Sequence, residues 1–294
     1  MELKLLEAFA VLSEELHFTR AAERLGIAQP TLSLQIRALE EQVGLPLFDR
    51  IGKRITLTQA GVVLLKHTKQ VMQTIKSAQD ELDDLKHLYT GTLNVGMLSG
   101  DLDFRLTNIV IEFHREFPDI KLTLQGSVNI RQMVLQNQAD IGLTVLGHED
   151  DRIIQIPLIH ETFGIVTSER HSLADRIEFP FVDLHRLPLI LFPKGFVGRD
   201  LIDSHSDEKG IRLEPIIETS TVPSIINMVR NDLGVSVFSR QLIESIGGDD
   251  LRFIPLVDPT PFRDIGIIYR SDRYISHAAR SFVNKLISRL KHLR

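Results

Sequence analysis

A pair of short amphipathic segments joined through a glycine constrains the fold of this chain more than any other feature. After a first amphipathic stretch, Thr19 suits the N-cap of a helix from Arg20 to Leu25, which Gly26 would end. Gln29-Pro30 suits the first turn of a longer helix that runs to Gly44. The buried stripe of this longer helix would consist of Leu32, Ile36, Leu39 and Val43. This order predicts a helix-turn-helix or, equally, an ordinary helical hairpin.

A β-hairpin is predicted next, in the segment LPLFDRIGKRITLT, where two strand-like runs surround Gly52. Three cationic residues lie at its tip, namely Arg50, Lys53 and Arg54. Cations in this position suit contact with phosphate groups. A hairpin that simply carries solvated charges is the alternative, and this segment alone leaves both interpretations open.

A single long helix is predicted from residue 59 to residue 90, because this polar segment contains no proline and only one glycine, Gly61. Apolar or small residues recur in steps of four and three, as in the seam of a coiled coil. They are Leu64, Thr68, Val71, Ile75, Ala78, Leu82, Leu85 and Tyr89. The seam predicts a homodimer, and the alternative is a helix that buries this stripe against its own domain.

The pattern changes after Gly91 to strands alternating with helices, which predicts an α/β domain over residues 91–294 with a largely parallel sheet. Two such sets of elements predict two lobes. Lobe one would span about 91–163 plus 269–294, and lobe two about 164–268. The segments ETFGIVTS and RDIGIIYRS are the expected crossing strands, and the C-terminal helix would return to lobe one.

A ligand site is expected between the lobes, because α/β folds bind ligands beyond the carboxyl ends of strands, near helix N-termini. Lys194 could pair with a carboxylate or phosphate and Phe196 could pack on the ligand, although both also fit an exposed loop. Each candidate is also explained as a helix cap or turn residue. The candidates are Ser99, Gly100, Ser127, Thr144, Lys194, Gly195, Phe196, Ser220 and Thr221. A small anionic ligand is the class that this set favours.

Several classes of function are excluded by what the sequence lacks. The 294 residues contain no cysteine, which excludes disulfides, thiolate metal sites and thiol-based sensing. There is no phosphate loop, GxSxG elbow, HExxH helix or dinucleotide fingerprint, so we expect neither an enzyme nor a cofactor. The histidines lack metal-ligand spacing, among them His114, His148, His160 and His171. Without an export signal or an apolar run of about 20 residues, a cytoplasmic protein with no membrane partner is expected.

The ordered run FTRAAERLGIAQPTLSLQIRALEEQVGLPLFDR, followed by LTQAG, resembles the N-terminal signature of the LysR-type transcriptional regulators. The resemblance implies a winged helix-turn-helix over residues 1–58, a linker helix over 59–90, and a two-lobed effector domain similar to periplasmic binding proteins. It implies double-stranded operator DNA, a small-molecule effector and RNA polymerase as partners, and a dimer or tetramer. A ligand-binding protein without a DNA function is the main alternative, and it would leave the first ninety residues without a role.

The same resemblance assigns DNA contacts to particular residues. Base edges would be contacted by Gln29, Pro30 and Ser33. The DNA backbone would be contacted by Thr19, Arg20, Thr31, Arg37, Arg50, Lys53 and Arg54. Leu34 departs from the family pattern, since many members carry arginine or another polar residue there. One expected DNA contact is therefore missing, and the effect of Leu34 on the operator preference is left open by the sequence.

Overall fold

The computed structural model describes residues 1–51, 54–86, 90–98 and 106–290, with the backbone alone at residues 50, 51 and 54. The chain divides into two units, Met1–Leu85 and Lys86–Arg294. The first unit therefore contains both the predicted winged domain and most of the predicted linker helix. None of the described helices is both long and apolar enough to cross a membrane.

The first unit consists of helices around one small apolar core, with a hairpin between the third helix and the fourth. Its elements are α1 (Leu3–Glu15), α2 (Phe18–Leu25), α3 (Gln29–Val43), β1 (Phe48–Ile51), β2 (Arg54–Leu57) and α4 (Gln59–Leu85). The core joins Phe9 and Leu12 of α1 to the predicted stripe of α3, of which Leu32, Ile36 and Leu39 are fully buried. The helix-turn-helix order and the hairpin predicted from the sequence are both present.

The start of α2 differs from the prediction. The helix begins at Phe18 and is capped by His17, whose Nδ1 accepts a hydrogen bond from the backbone N–H of Arg20 at 3.4 Å. Thr19 therefore lies inside the first turn, where it is exposed, and it is not the cap. A histidine ring offers an acceptor nitrogen just as a hydroxyl oxygen does, and the N-cap preference for Thr placed the predicted cap two residues too far along the chain.

Thr58 connects the hairpin to α4. Its Oγ1 donates to the carbonyl of Pro46 at 2.7 Å and accepts from the N–H of Gly61 at 3.0 Å, so it caps α4 while holding the loop before β1. A side chain at Gly61 would place its Cβ 2.2 Å from the carbonyl oxygen of Leu47. Only glycine permits this close approach, and the start of α4 is therefore fixed against the hairpin.

The second unit alternates strands and helices as predicted. Its elements are β3 (Gly91–Met97), α5 (Thr107–Glu116), β4 (Ile120–Gly126), α6 (Ile130–Leu135), β5 (Ile141–Val145), β6 (Ile153–Ser168), β7 (Phe179–Pro180), a 3-10 helix (Phe181–Arg186), β8 (Ile190–Leu191), α7 (Val197–Glu208), β9 (Ile217–Glu218), α8 (Val222–Arg230), β10 (Ser236–Ser239), α9 (Arg240–Ile246), β11 (Leu251–Val257), β12 (Phe262–Arg270) and α10 (His277–Leu290).

Two lobes share the long strand β6. Its first half pairs antiparallel with β12, which in turn pairs with β5, and β5, β3 and β4 run parallel to one another. Its second half, from Phe163, pairs antiparallel with β10 and β11. The sheet is thus parallel only in part, because β6 and β12 carry the chain between the lobes in opposite directions.

The chain returns from lobe two to lobe one earlier in the sequence than the sequence pattern predicted. Phe262 pairs with Thr162, the N–H of Phe163 donates to the carbonyl of Pro261 at 2.9 Å, and all of β12 pairs within lobe one. Ile265, which was expected in lobe two, is buried in the core of lobe one. Lobe two therefore spans about residues 163–261. Helix α10 packs on lobe one as predicted, with Phe282 and Phe113 in edge-to-face contact at 5.1 Å.

Candidate nucleic-acid interface and ligand cleft

Helix α3 presents a polar face opposite its buried stripe. Gln29, Pro30 and Thr31 are exposed in its first turn, Ser33 is half-buried, and the Arg37 side chain is 77% exposed. All five were predicted to contact DNA. A helix held by one apolar face, with short polar side chains and a cation on the other, fits the major groove, where base edges are read by hydrogen bonds.

Carboxylates hold several of the cations near this face. Arg37 Nε donates to Glu41 Oε1 at 3.0 Å, both side chains being exposed. Arg20 Nη2 donates to the backbone carbonyl of Glu15 at 3.0 Å, which fixes the guanidinium beside the end of α1. Arg24 pairs with the same end of α1, where the hydrogen bonds that its guanidinium donates to Glu15 and, less strongly, to Glu14 raise the pKa of Arg24. These pairs position the cations without burying them.

The hairpin is attached to α3 through Glu40. Its Oε1 accepts from the backbone N–H of Leu47 at 2.8 Å and of Phe48 at 3.3 Å. The strands then pair in the register Phe48 with Leu57. Lys53, predicted at the hairpin tip, lies outside the described residues, as do the side chains of Arg50 and Arg54.

The predicted seam on α4 separates into two parts. Leu64 packs against the core of the first unit and Thr68 is buried. For these two residues the alternative to dimerisation holds, since they are buried against their own domain. The rest of the stripe is uncovered: Val71, Ile75 and Leu82 are 43%, 44% and 50% exposed, Leu85 is 74% exposed, and Ala78 is exposed. Tyr89 lies outside the described residues.

A cleft with about 60 Å³ of free volume lies in the second unit, where β6 passes from one lobe to the other. Its walls are largely apolar and include a group of aromatic rings: Phe192 stacks on Phe196 with 5.1 Å between ring centroids, and Phe238 meets Phe192 edge-on at 5.7 Å. Helices α7 and α8 begin at the lining residues Val197 and Val222. The described lining consists of Leu98, Ser127, Val128, Phe163, Phe192, Phe196, Val197, Gly198, Val222, Val237, Phe238, Ser239, Leu242 and Arg263.

Among the residues that the structure describes, one ion pair supplies the charge of this cleft. Arg263 Nε donates to Oε2 of the fully buried Glu161 at 2.6 Å, and Ser239 Oγ donates to Oε1 of the same carboxylate at 3.0 Å. The Arg263 guanidinium also lies 5.3 Å from the ring centroid of Phe163. Since Nε is only one of five guanidinium N–H donors, the terminal nitrogens retain donors for a ligand acceptor.

The sequence-predicted ligand residues are only partly brought together. Ser127 and Phe196 line the cleft. Lys194 lines a different groove in lobe two, among the carboxylates of Asp203, Asp207, Glu214 and Glu218, and so it does not supply the cleft's cation.

The remaining predicted residues have structural roles or lie outside the described lining. Gly195 has φ +90° and donates its N–H to Asp200 Oδ1 at 2.9 Å, which forms the turn into α7. Thr221 Oγ1 donates to Ser224 Oγ at 2.7 Å, and Ser220 is exposed beside it. Thr144 is buried in β5, opposite Gly266. Ser99 and Gly100 lie outside the described residues.

Two family profiles cover nearly all of the chain. Residues 3–62 match "Bacterial regulatory helix-turn-helix protein, lysR family", and residues 86–291 match "LysR substrate binding domain". The chain belongs to the LysR family of transcriptional regulators. The first match gives the N-terminal unit a role that the ligand-binding alternative could not give it.

Individual LysR-family proteins align along most of the chain. The HTH-type transcriptional regulator YwbI of Bacillus subtilis is 29% identical over 96% of this chain and 95% of its own length. The DNA-binding transcriptional dual regulator OxyR of Escherichia coli is 27% identical over 92% and 90%. A solved full-length OxyR variant from Pseudomonas aeruginosa has a TM-score of 0.75 at 23% identity, covering 99% of this chain and 95% of that one. These relatives are named regulators, and this LysR-family chain is a regulator rather than an enzyme.

Sequence reasoning missed the residues that position the two LysR-family sites. Glu40 and Glu161 are single carboxylates whose partners lie elsewhere in the chain, so no local spacing marks them. Phe192 and Phe238 resemble ordinary core residues in the sequence. Arg263 did lie at the start of a predicted crossing strand, where a cation beside a cleft could have been inferred. Among the described residues, no His, Asp and Glu group could hold a metal ion.

Proposed function

We propose that this protein binds operator DNA with α3 in the major groove and adjusts transcription in response to a small molecule held in the cleft. The observation that carries the DNA assignment is the exposed polar face of α3, opposite a fully buried stripe. Gln29, Pro30 and Ser33 would contact base edges. The residues that would contact the DNA backbone are Thr19, Arg20, Thr31, Arg37, Arg50, Lys53 and Arg54.

The uncovered part of the α4 seam supports a homodimer. Val71, Ile75, Ala78, Leu82 and Leu85 follow the four and three steps of a coiled coil and remain exposed in a single chain. A two-fold pair would present two copies of α3 to successive half-sites of an operator. Pairing of the second units would extend the dimer to a tetramer, and RNA polymerase is the partner through which a DNA-bound regulator would act.

For the effector, the cleft supports a molecule with an apolar body and one end that accepts hydrogen bonds. The stacked rings of Phe192 and Phe196 would contact the body, and the terminal nitrogens of Arg263 would donate to the acceptor. The first turn of α7 adds the positive end of a helix dipole, which favours a carboxylate, and Asp200 in the same turn offsets part of that field. The anionic effector expected from Lys194 is thus retained as a proposal, with Arg263 as its cation.

Ligand binding would act through the geometry of β6 and β12. Because the cleft lies where these strands cross, a ligand that contacts both lobes would favour one relative orientation of the lobes. A dimer or tetramer would convert that preference into a change in the spacing of its DNA-binding units.

The DNA proposal is tested by selecting bound duplexes from a random pool and then measuring single variants on the selected sequence. Gln29→Ala and Ser33→Ala should each lose about 1–3 kcal/mol on the selected duplex and little on a scrambled one. Arg37→Ala should weaken both duplexes equally and lower the salt slope by about 0.9. Equal losses on both duplexes in all three variants would contradict the assignment of α3.

The effector proposal is tested by thermal denaturation with matched acids and amides, such as acetate with acetamide and phenylacetate with phenylacetamide. We expect the acid of a pair, and not its amide, to raise the melting temperature of the protein. This stabilisation should be retained in Lys194→Met and lost in Arg263→Met. Loss in Lys194→Met alone would move the anion site to the other groove of lobe two. Stabilisation that both variants retain would remove Arg263 from the site.

A further inference from the structure

The exposed face of α3 contains one large apolar side chain, Leu34. It is 68% exposed, whereas Leu32 and Ile36, two residues before and after it, are fully buried. Two residues correspond to about 200° of helix rotation, so Leu34 lies on the side of α3 opposite the core. The packing of the first unit therefore does not explain why this residue is a leucine.

The surroundings of Leu34 are the residues assigned to DNA contact. Pro30 and Thr31 precede it by one turn and Arg37 follows it by one turn, and all three are exposed. Residues three and four apart on a helix have Cβ atoms about 5–6 Å from one another. When the polar neighbours contact base edges and phosphates, the isobutyl group of Leu34 faces the floor of the same groove.

An apolar side chain in the major groove has one natural target. Hydrogen-bond donors and acceptors line this groove at every base pair, and only thymine adds an apolar group, its C5 methyl. A leucine placed against donors and acceptors would remove them from water without replacing their hydrogen bonds, which costs free energy. Against a thymine methyl, both partners lose apolar surface to water, which is favourable.

We propose that Leu34 reads a thymine methyl group in each operator half-site and so sets a base preference that a polar residue at this position would not give. The inference rests on the proposed DNA-binding function of α3. Covering one methyl group is worth about a fourfold change in affinity, equivalent to ~0.8 kcal/mol. Leu34 is therefore a specificity residue that adds to the hydrogen-bonding contacts of Gln29 and Ser33.

The test replaces each thymine of the selected duplex in turn by uracil, which removes only the methyl group. Affinity for the full chain is measured by fluorescence anisotropy. One thymine per half-site should weaken wild-type binding about fourfold when it is replaced, and the same replacement should have no effect on Leu34→Ala. Restoring the methyl with 5-methylcytosine paired to guanine should recover part of the loss for wild type only.

Two variants serve as controls. Leu34→Met keeps an apolar side chain and should retain the uracil effect. Leu233→Ala removes an exposed leucine of the second unit, which is 51% exposed, and should leave the whole uracil profile unchanged. If either control gives a different result, the loss of affinity on uracil replacement does not arise from an apolar contact at Leu34.

Failure of this inference is distinguishable from failure of the proposed function. A selected sequence that binds tightly, with every uracil replacement neutral in wild type or equally harmful in Leu34→Ala, would overturn the role of Leu34 alone. If no sequence is selected, the DNA assignment of α3 fails, and the inference fails with it. A change in oligomeric state in Leu34→Ala would also overturn it, by showing that Leu34 contacts protein.

Discussion

The two units of this regulator form their sites in different ways. The DNA-facing surface comes from one helix, α3, and its short neighbours, so the residues assigned to it all lie between Thr19 and Arg54 in the sequence. The cleft is assembled from segments that extend from Leu98 to Arg263, and it forms only when both lobes have folded. The first site is therefore a property of local sequence, whereas the second is a property of topology.

This difference also separates the forces that hold each site. The α3 surface needs only the apolar stripe beneath it and the glycine cap at its C-terminal end, Gly44. The cleft depends on a buried ion pair between Glu161 and Arg263, residues brought together from separate strands. Removing single groups from each unit should reveal the difference, and the expected effects decrease in the following order.

The largest loss is expected in the second unit, from Glu161→Ala. This change leaves Arg263 without its partner in a largely buried position, which should reduce the free energy of unfolding by about 3–5 kcal/mol in urea denaturation. Asp264→Ala is the matched control, because Asp264 forms an exposed pair with His160 at 2.8 Å and should cost less than about 1 kcal/mol. Similar losses in both variants would show that the buried pair has no special role.

The next effect concerns assembly through α4. Ile75→Glu places a charge in the uncovered seam of both copies, and loss of two buried isoleucines corresponds to about 3 kcal/mol, or over a hundredfold in the dimer dissociation constant. Analytical ultracentrifugation measures this constant. Val62→Glu changes an apolar residue with 57% exposure that lies nine residues before Val71 and on the opposite side of the helix, and it should leave the dimer intact. If the dimer dissociation constant does not change in Ile75→Glu, the seam on α4 is not the dimer interface.

In the first unit, Glu40→Ala should have a moderate effect. It leaves the backbone N–H groups of Leu47 and Phe48 without their acceptor, which should cost about 1–3 kcal/mol of stability. Glu41→Ala, next to it on α3, removes only an exposed pair with Arg37 and should change stability by less than about 0.5 kcal/mol. If the two variants unfold at the same urea concentration, Glu40 does not hold the hairpin.

The smallest effect distinguishes two possible caps of α2. His17→Ala removes the observed acceptor and should destabilise the first unit by about 1 kcal/mol. Thr19→Ala should change stability by less than about 0.5 kcal/mol, because Thr19 lies inside the helix and is exposed. The opposite ranking in thermal denaturation would restore Thr19 as the cap.

The sequence predicted the features that depend on local residues better than those that depend on topology. Helix α3, its end at Gly44 and its buried stripe were predicted correctly, because each depends on residues within one or two turns. The lobes and the crossing role of β6 were predicted from alternating strands and helices. The position of the second crossing was not, because whether Ile265 packs in lobe one or lobe two depends on strand pairing rather than on local hydrophobicity.

The ligand residues show the limit most clearly. Glycine, serine and threonine after strands indicate turns and caps wherever they occur, and only Ser127 and Phe196 of that set line the cleft. Lys194 was the only charged residue in the set, and it is in a groove with four carboxylates. In the described part of the cleft the charged groups are Glu161 and Arg263, which are 102 residues apart in sequence, and no spacing rule relates two such positions.

We propose above all that the exposed face of α3 gives this regulator its sequence preference. The most direct measurement is competition anisotropy of the full chain on the selected duplex, with scrambled duplex as competitor, for wild type and for Gln29→Ala with Ser33→Ala combined. We expect wild type to prefer the selected duplex by at least about a thousandfold and the double variant to lose most of this preference while retaining non-specific binding. A double variant with the full wild-type preference would contradict this proposal.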